Sequence, residues 1–436
     1  MKLPECKFKQ YIFVVTGMSY IIDSSGTSKV VKAHEEIFKS HGIGYVTIFP
    51  ISRSGGQGAE WHVKTTGCYA FIINGRFVHV MTAKEVLNAL QQLQKEGKLC
   101  TGILIHHVIR NDIHEIQWIL SKIQHVPVIY YLHDFYTCCI NPNMLKNDNQ
   151  TCVDGGVSCE GCCYAEKKKK HLQIMKNFLS SFGNRLEFIA PSDYVKERWT
   201  KCYPEYIDKI TVIPHQKSSG EYWGNREPLQ NNEPIKLGFV GSQIHVKGWD
   251  IFKKTVELLQ EHKCNYEYYY FGNGKEELPG VTNVKVDIAS MGKDAMIEAL
   301  KEKHISAVFL VCVWGETYSY TMYESHAANS YILTLKESGN IAYTVNKEKW
   351  GHVFDNEEDL ISMLLDETKF RTMVNEWKMN AKPGPHKYLD NEDILKKFPE
   401  TCDSCIQWKE QKTSFIMRTK SVLLNEVYTK LRLSNI

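Results

Sequence analysis

The chain has 436 residues, of which 43% are apolar and 24% charged, with a net charge of +3. That length suits two globular domains with full cores, and so balanced a charge argues against a nucleic-acid partner, which needs a concentrated basic face. No apolar run approaches the ~18 residues of a membrane span, and no signal-peptide pattern opens the chain. The expected compartment is the cytoplasm, where fourteen cysteines would be free, metal-bound or redox-active rather than a disulfide framework.

Residues 11–15 read as a buried strand. A glycine loop with Gly17 and Gly26 follows, then a helix over 30–40 with Val30, Val31, Ala33 and Phe38 as its apolar positions, then a strand over 45–49. Strand, glycine loop, helix, strand is the doubly wound unit. Further strands are predicted at 102–108, 126–132, 186–189 and 209–213. Residues 216–234 are polar, with two prolines and two glycines, and read as a linker. A second series of strands follows at 235–240, 266–271, 284–286, 307–313 and 331–335. The expected architecture is α/β: two Rossmann-like domains facing a cleft, at 1–216 and 235–382, with a helical extension over 383–436. Ligands in such sheets bind beyond the carboxyl ends of the strands.

One such end carries Trp314-Gly-Glu-Thr-Tyr-Ser-Tyr-Thr-Met-Tyr-Glu324. Glu316 lies where a buried strand stops, and Glu324 about two turns further on. Ser319, Tyr320 and Thr321 lie between them, where a helix should begin and offer free amides to an anion. A capped helix with two solvent-facing glutamates is the competing reading. Upstream, Gly241-Ser242 ends a strand and Lys247-Gly248 opens the next helix, so Lys247 can act as a point charge on a diphosphate.

Taken in order, Gly241-x5-Lys247-Gly248, Tyr270-Phe-Gly-Asn-Gly274, Glu316-x7-Glu324 and Ser338-Gly-Asn340 resemble the second half of retaining GT-B glycosyltransferases. The family 4-like group of bacterial polysaccharide assembly is the nearest in pattern. Gly26, Tyr131-Leu-His-Asp134, Ala190-Pro-Ser-Asp193 and Val212-Ile-Pro-His215 agree in the first half. The resemblance runs to about residue 380. It implies transfer of a sugar from a nucleotide-diphosphate donor to a glycan or lipid-linked glycan, with retention of configuration. In it, 1–216 is the acceptor domain and 235–382 binds the donor. Glu324 would hold the donor ribose, Glu316 the transferred sugar, and Lys247 with Ser319, Tyr320 and Thr321 the diphosphate. Gly241 and Ser242 would approach the donor at the strand end. His133 would point into the cleft near sugar and acceptor, and Gly26 would admit the donor phosphates or acceptor.

The chain departs from the pattern at Ser242, where an arginine is usual, with His245 a candidate to supply the charge. It departs again at Ser319, usually glycine, and at His326 and Asn329, where small apolar residues are common. No Asp-x-Asp motif ends a strand, so no catalytic metal is expected. The alternatives are a silent GT-B-like scaffold for a partner enzyme, or a GT-B epimerase or inverting transferase.

The insertion at 138–163 holds Cys139, Cys152, Cys159 and Cys162, with a knuckle-like Cys-Glu-Gly-Cys turn; structural zinc is expected there, with free thiols as the competing reading. Cys402-x2-Cys405 lies far downstream. The lysines at 167–170 precede a helical face of Leu172, Met175, Phe178 and Leu179. That face either meets an anionic membrane surface or packs in the core.

Overall fold

The computed structural model describes residues 3–22, 25–52, 65–152, 159–224, 226–400 and 404–433. The first half is built on an eight-stranded sheet. Its order is Ile210–Val212, Leu186–Ala190, Val128–Tyr131, Leu99–Ile105, Gln10–Val15, Ile43–Ser52, Thr65–Ile73 and Arg76–Thr82. The first six strands run parallel, and the last two turn back antiparallel. The second half is a six-stranded parallel sheet in the order Val281–Lys285, Tyr266–Gly272, Ile235–Val240, Ala307–Phe309, Tyr331–Leu335 and Gly351–Phe354.

The period-2 rule explains why these runs are apolar throughout. Tyr11, Phe13 and Val15 enter the core on one face of the first sheet, and Ile12 and Val14 the core on the other. In the second sheet, Leu237 and Phe239 face one way and Val240 the other. Each sheet reverses its winding once: beside Gln10–Val15 in the first, and between Ile235–Val240 and Ala307–Phe309 in the second. Such switch points open a crevice at the strand ends.

Several elements differ from expectation. The hairpin of Thr65–Ile73 and Arg76–Thr82 was not anticipated. Its signal is Asn74-Gly75, both at positive φ (49° and 76°), the two-residue turn that twists with its strands. The run read as a strand over 307–313 pairs only at Ala307–Phe309; its remaining residues leave the ladder to shape the site. The stretch from 383 onward is less helical than expected. Tyr388–Asp390 pairs with Gln216–Ser218, Cys405–Ile406 pairs with Ile123–Gln124, and one long helix closes the chain at Phe415–Leu433. Cys402 lies outside the described residues.

That last segment crosses back onto the first half. Lys397 Nζ reaches Glu187 Oε2 at 2.9 Å, and Trp408 Nε1 donates to Asn88 Oδ1 at 2.7 Å. The final helix covers the sheet's edge strand: Val80 N donates to Asn425 Oδ1 at 3.1 Å, and the rings of Phe77 and Tyr428 stand 4.9 Å apart. An edge left bare would invite pairing with another chain. Phe398 packs onto Gly102, where an added Cβ would lie 2.1 Å from Phe398 Cδ1. Gly102→Ala is therefore expected to cost about 1–3 kcal/mol through overpacking, read as a lower denaturant midpoint.

Candidate functional site

The site lies where both sheets present their carboxyl ends. Thr317 Oγ1 donates to the His133 carbonyl at 2.6 Å, and Ser192 Oγ donates to the Thr317 carbonyl at 3.0 Å. These two bonds stitch the Glu316 loop to the first half. A cavity of about 280 Å³ opens beside them. Gly26, Gly241, Ser242, Lys247, Ser319, Tyr320, Thr321 and Glu324, singled out in the sequence, all line it.

Helix Tyr320–Ala327 starts where the sequence reading places it, because Ser319 caps it. Ser319 Oγ accepts from Met322 N at 3.3 Å and lies 2.9 Å from Thr321 Oγ1. A glycine there would leave that amide without its side-chain acceptor. The Tyr320 and Thr321 amides, in the first turn, have no partner among the described residues, so the helix start has donors to spare for an anion.

The two glutamates are held very differently. Glu316 is 3% exposed. Its Oε1 accepts from the Lys247 ammonium, from Trp314 Nε1 at 3.1 Å and from the Cys312 thiol at 3.4 Å. Burial by itself would lower the Lys247 ammonium, but the Glu316 carboxylate outweighs it and the net shift is upward. Burial and the same carboxylate push the Cys312 thiol well up, so it stays a donor. Gly339 makes room for this loop: it sits at φ +65°, and a Cβ there would stand 2.6 Å from Glu316 N. Glu324 is 7% exposed, yet its Oε2 is buried with no hydrogen-bond partner among the described residues. Burial raises its pKa, and Lys29 across the cavity pulls the other way. A buried carboxylate oxygen without a donor costs free energy unless a ligand completes it.

Behind the cleft the first half packs a cluster of the buried histidines His34, His106, His133 and His215. Burial holds all four low, His34 at about 3, so they are neutral at pH 7. His106 Nε2 lies 3.0 Å from the Tyr45 hydroxyl and 3.4 Å from His34 Nδ1. Its Nδ1 lies 2.8 Å from His133 Nε2, so one buried chain of hydrogen-bonding groups runs from Tyr45 to His133. His133 does not line the 280 Å³ cavity; it belongs to this neighbouring cluster, whose His215 ring lies 4.2 Å from that of Tyr318.

The remaining departures from pattern have structural partners. His245 Nδ1 binds Asp250 Oδ2 at 2.9 Å on the surface and takes no part in lining the cavity. His326 stacks on Trp350 at 3.8 Å, and its Nδ1 bonds the Tyr388 hydroxyl at 2.8 Å. Asn329 Oδ1 accepts from Gly384 N at 2.8 Å and Arg226 Nε at 3.2 Å. Both residues fasten the linker and the returning C-terminal segment to the second half, work that small apolar residues could not do.

Cys139, Cys152, Cys159 and Cys162 form no disulfide, and no group of three or more potential ligands converges among the described residues. Lys168 Nζ instead donates to Cys159 Sγ at 3.2 Å, where an ammonium would oppose a metal ion. Purified protein is expected to hold zinc far below stoichiometric amounts by elemental analysis; a full equivalent would show that the loop rearranges to gather these thiols. The lysines at 167–170 begin helix Ala165–Ser180, whose Met175, Phe178 and Leu179 are buried in the first half's core. The apolar face is thus spent on packing. No helix among the described residues is long and apolar enough to cross a membrane.

Sequence reading missed Lys29, Cys312, His106 and Tyr45. Lys29 had a signal, three residues past Gly26 and so one turn into a helix that starts at the cleft. Cys312 and Tyr45 had none, since each reads as ordinary strand core.

Two Rossmann-like sheets facing one cleft, with a lysine and a glutamate pair at the second sheet's strand ends, define the GT-B architecture of glycosyltransferases. Among solved structures, WaaG, a glycosyltransferase involved in lipopolysaccharide biosynthesis, matches with TM-score 0.50 over 84% of this chain and 94% of its own, at 12% identity. Sucrose-phosphate synthase from Thermosynechococcus elongatus matches with TM-score 0.51 over 98% of this chain and 100% of its own, at 13% identity. No family model and no curated protein matches the sequence. At these identities the likeness establishes the fold.

Proposed function

We propose that the protein transfers a sugar from a nucleotide-diphosphate donor to a glycan or lipid-linked glycan acceptor, with retention of configuration. The single observation that carries this reading is Glu324 Oε2, buried and without a donor in the cavity that also holds Lys247 and the free amides of a helix start. Ribose hydroxyls would satisfy that oxygen. The diphosphate would rest on the Tyr320 and Thr321 amides, beside the Lys247 ammonium. Glu316, whose Oε1 is already engaged, keeps Oε2 for hydroxyls of the transferred sugar.

Cleavage of the sugar–phosphate bond builds positive charge on the sugar and negative charge on the departing diphosphate. Preorganised amides and an ammonium aimed at that diphosphate stabilise it as it leaves. The acceptor hydroxyl would attack from the same face and pass its proton to the leaving phosphate, so no protein base is required. Positioning of donor and acceptor supplies much of the remaining acceleration.

A thermal-shift screen over UDP-, GDP- and ADP-sugars tests the reading. A donor at about 100 times its Kd should add roughly 2.7 kcal/mol of stability. A bound donor should then be hydrolysed slowly in the absence of acceptor. A silent scaffold would give neither stabilisation nor hydrolysis.

A further inference from the structure

The donor cavity is lined by two lysines, Lys29 and Lys247, and by the carboxylates Asp287 and Glu324. Lys247 is already bonded to Glu316. The His245 ring binds Asp250 and does not line the cavity. Of the two lysines, Lys29 alone has no carboxylate partner among the described residues. It comes from the opposite half of the molecule, in the first turn of helix Gly26–Ser40, and its Nζ lies 5.0 Å from the Tyr320 ring centroid. It also acts electrostatically on Glu324, which places it over the same space.

We propose that Lys29 supplies the second phosphate-binding cation, so that a nucleoside diphosphate is gripped by both halves of the protein at once. The helix carrying Lys29 is capped by Ser25, whose side chain accepts from Ser28 N, and its start at Gly26 lies open to the cavity, with nothing within 4 Å of a Cβ placed there. Backbone amides and an ammonium from the first half therefore face the Tyr320–Thr321 amides and Lys247 of the second. A diphosphate between them bridges the cleft; a nucleoside without phosphates contacts only the second half. This assignment rests on the donor-site reading above and names the residue that the charge balance of that site requires.

The test is ligand-observed NMR titration of UDP, GDP and ADP and of their nucleosides, which registers even weak binding. Wild type is compared with Lys29→Met, Lys29→Arg and the double variant Lys29→Met/Ser242→Arg. Lys29 is partly exposed, so the variants should fold. In Lys29→Met the preferred diphosphate should bind roughly 10-fold or more weaker, the loss of one charge-assisted hydrogen bond, while its nucleoside binds as before. Lys29→Arg should stay within about threefold of wild type, and Ser242→Arg should recover part of the loss by placing a guanidinium beside Gly241. Unchanged diphosphate binding in Lys29→Met overturns the proposal and leaves the donor site standing. An equal loss for the nucleoside also overturns it, showing that Lys29 acts through the Glu324 carboxylate and the ribose. Wild type that binds none of the three diphosphates overturns the donor-site reading itself.

Discussion

Glu324→Gln is expected to cut sugar transfer roughly 100-fold or more, about 2.7 kcal/mol, while making the folded protein more resistant to heat at neutral pH. The two effects share one cause. Glu324 Oε2 is buried with no donor, and burial raises its pKa above the ordinary 4.5. The native state thus holds the Glu324 proton more tightly than the unfolded chain does. Below pH 4.5 the group is protonated in both states and costs nothing. As pH rises through the raised folded value, the native carboxylate ionises in its buried site and stability is lost. The amide removes that penalty, so its stabilising effect should appear at pH 7 and fade toward pH 4.5. It also removes the charge that grips ribose hydroxyls, so donor KM should rise sharply. In wild type, donor affinity should itself fall as Glu324 is protonated, with a midpoint above 4.5. Calorimetric melts across pH, paired with donor titrations, check this. A variant that is destabilised at pH 7, or one that turns over normally, would sink the assignment.

Lys247→Ala carries the second large effect: a fall of roughly 100-fold or more in transfer, again about 2.7 kcal/mol. Its signature should differ. The ammonium is worth most when charge has moved onto the departing diphosphate, so kcat should fall further than donor affinity. The substitution also leaves Glu316 with only Trp314 and Cys312 as donors. The Lys247 side chain is 36% exposed, so the stability loss should fall short of the ~3–5 kcal/mol seen when a fully buried pair is broken. Adding Glu316→Gln to Lys247→Ala should recover the lost stability without recovering turnover, which separates the catalytic role from the structural one. Near-normal kcat in a folded Lys247→Ala protein would remove Lys247 from the mechanism.

The helix start at Ser319, the glycine at 241 and the Glu316–Glu324 spacing are local features. Backbone propensity and strand–helix alternation decide them, so a reader of the chain finds them unaided. The parallel strands were legible for the same reason: sheets covered on both faces need continuous apolar runs. The antiparallel hairpin was overlooked because its runs are equally apolar, and only Asn74-Gly75 marks the reversal. Thiol spacing along a chain does not report whether side chains converge, so the zinc expectation is one for elemental analysis to decide.

What the sequence determined by itself is the class of fold and the residues that line the cavity from the second half, since these follow one another along neighbouring strand ends. Tertiary structure alone decided the rest. It brought Lys29 from the first half to within reach of Tyr320, and it set the buried Tyr45–His106–His133 chain. It also returned Lys397 and Trp408 onto the first half, and laid the helix Phe415–Leu433 over its open edge. Each of these contacts joins residues far apart in sequence, and whether they meet depends on how the two sheets pack, which no local pattern encodes.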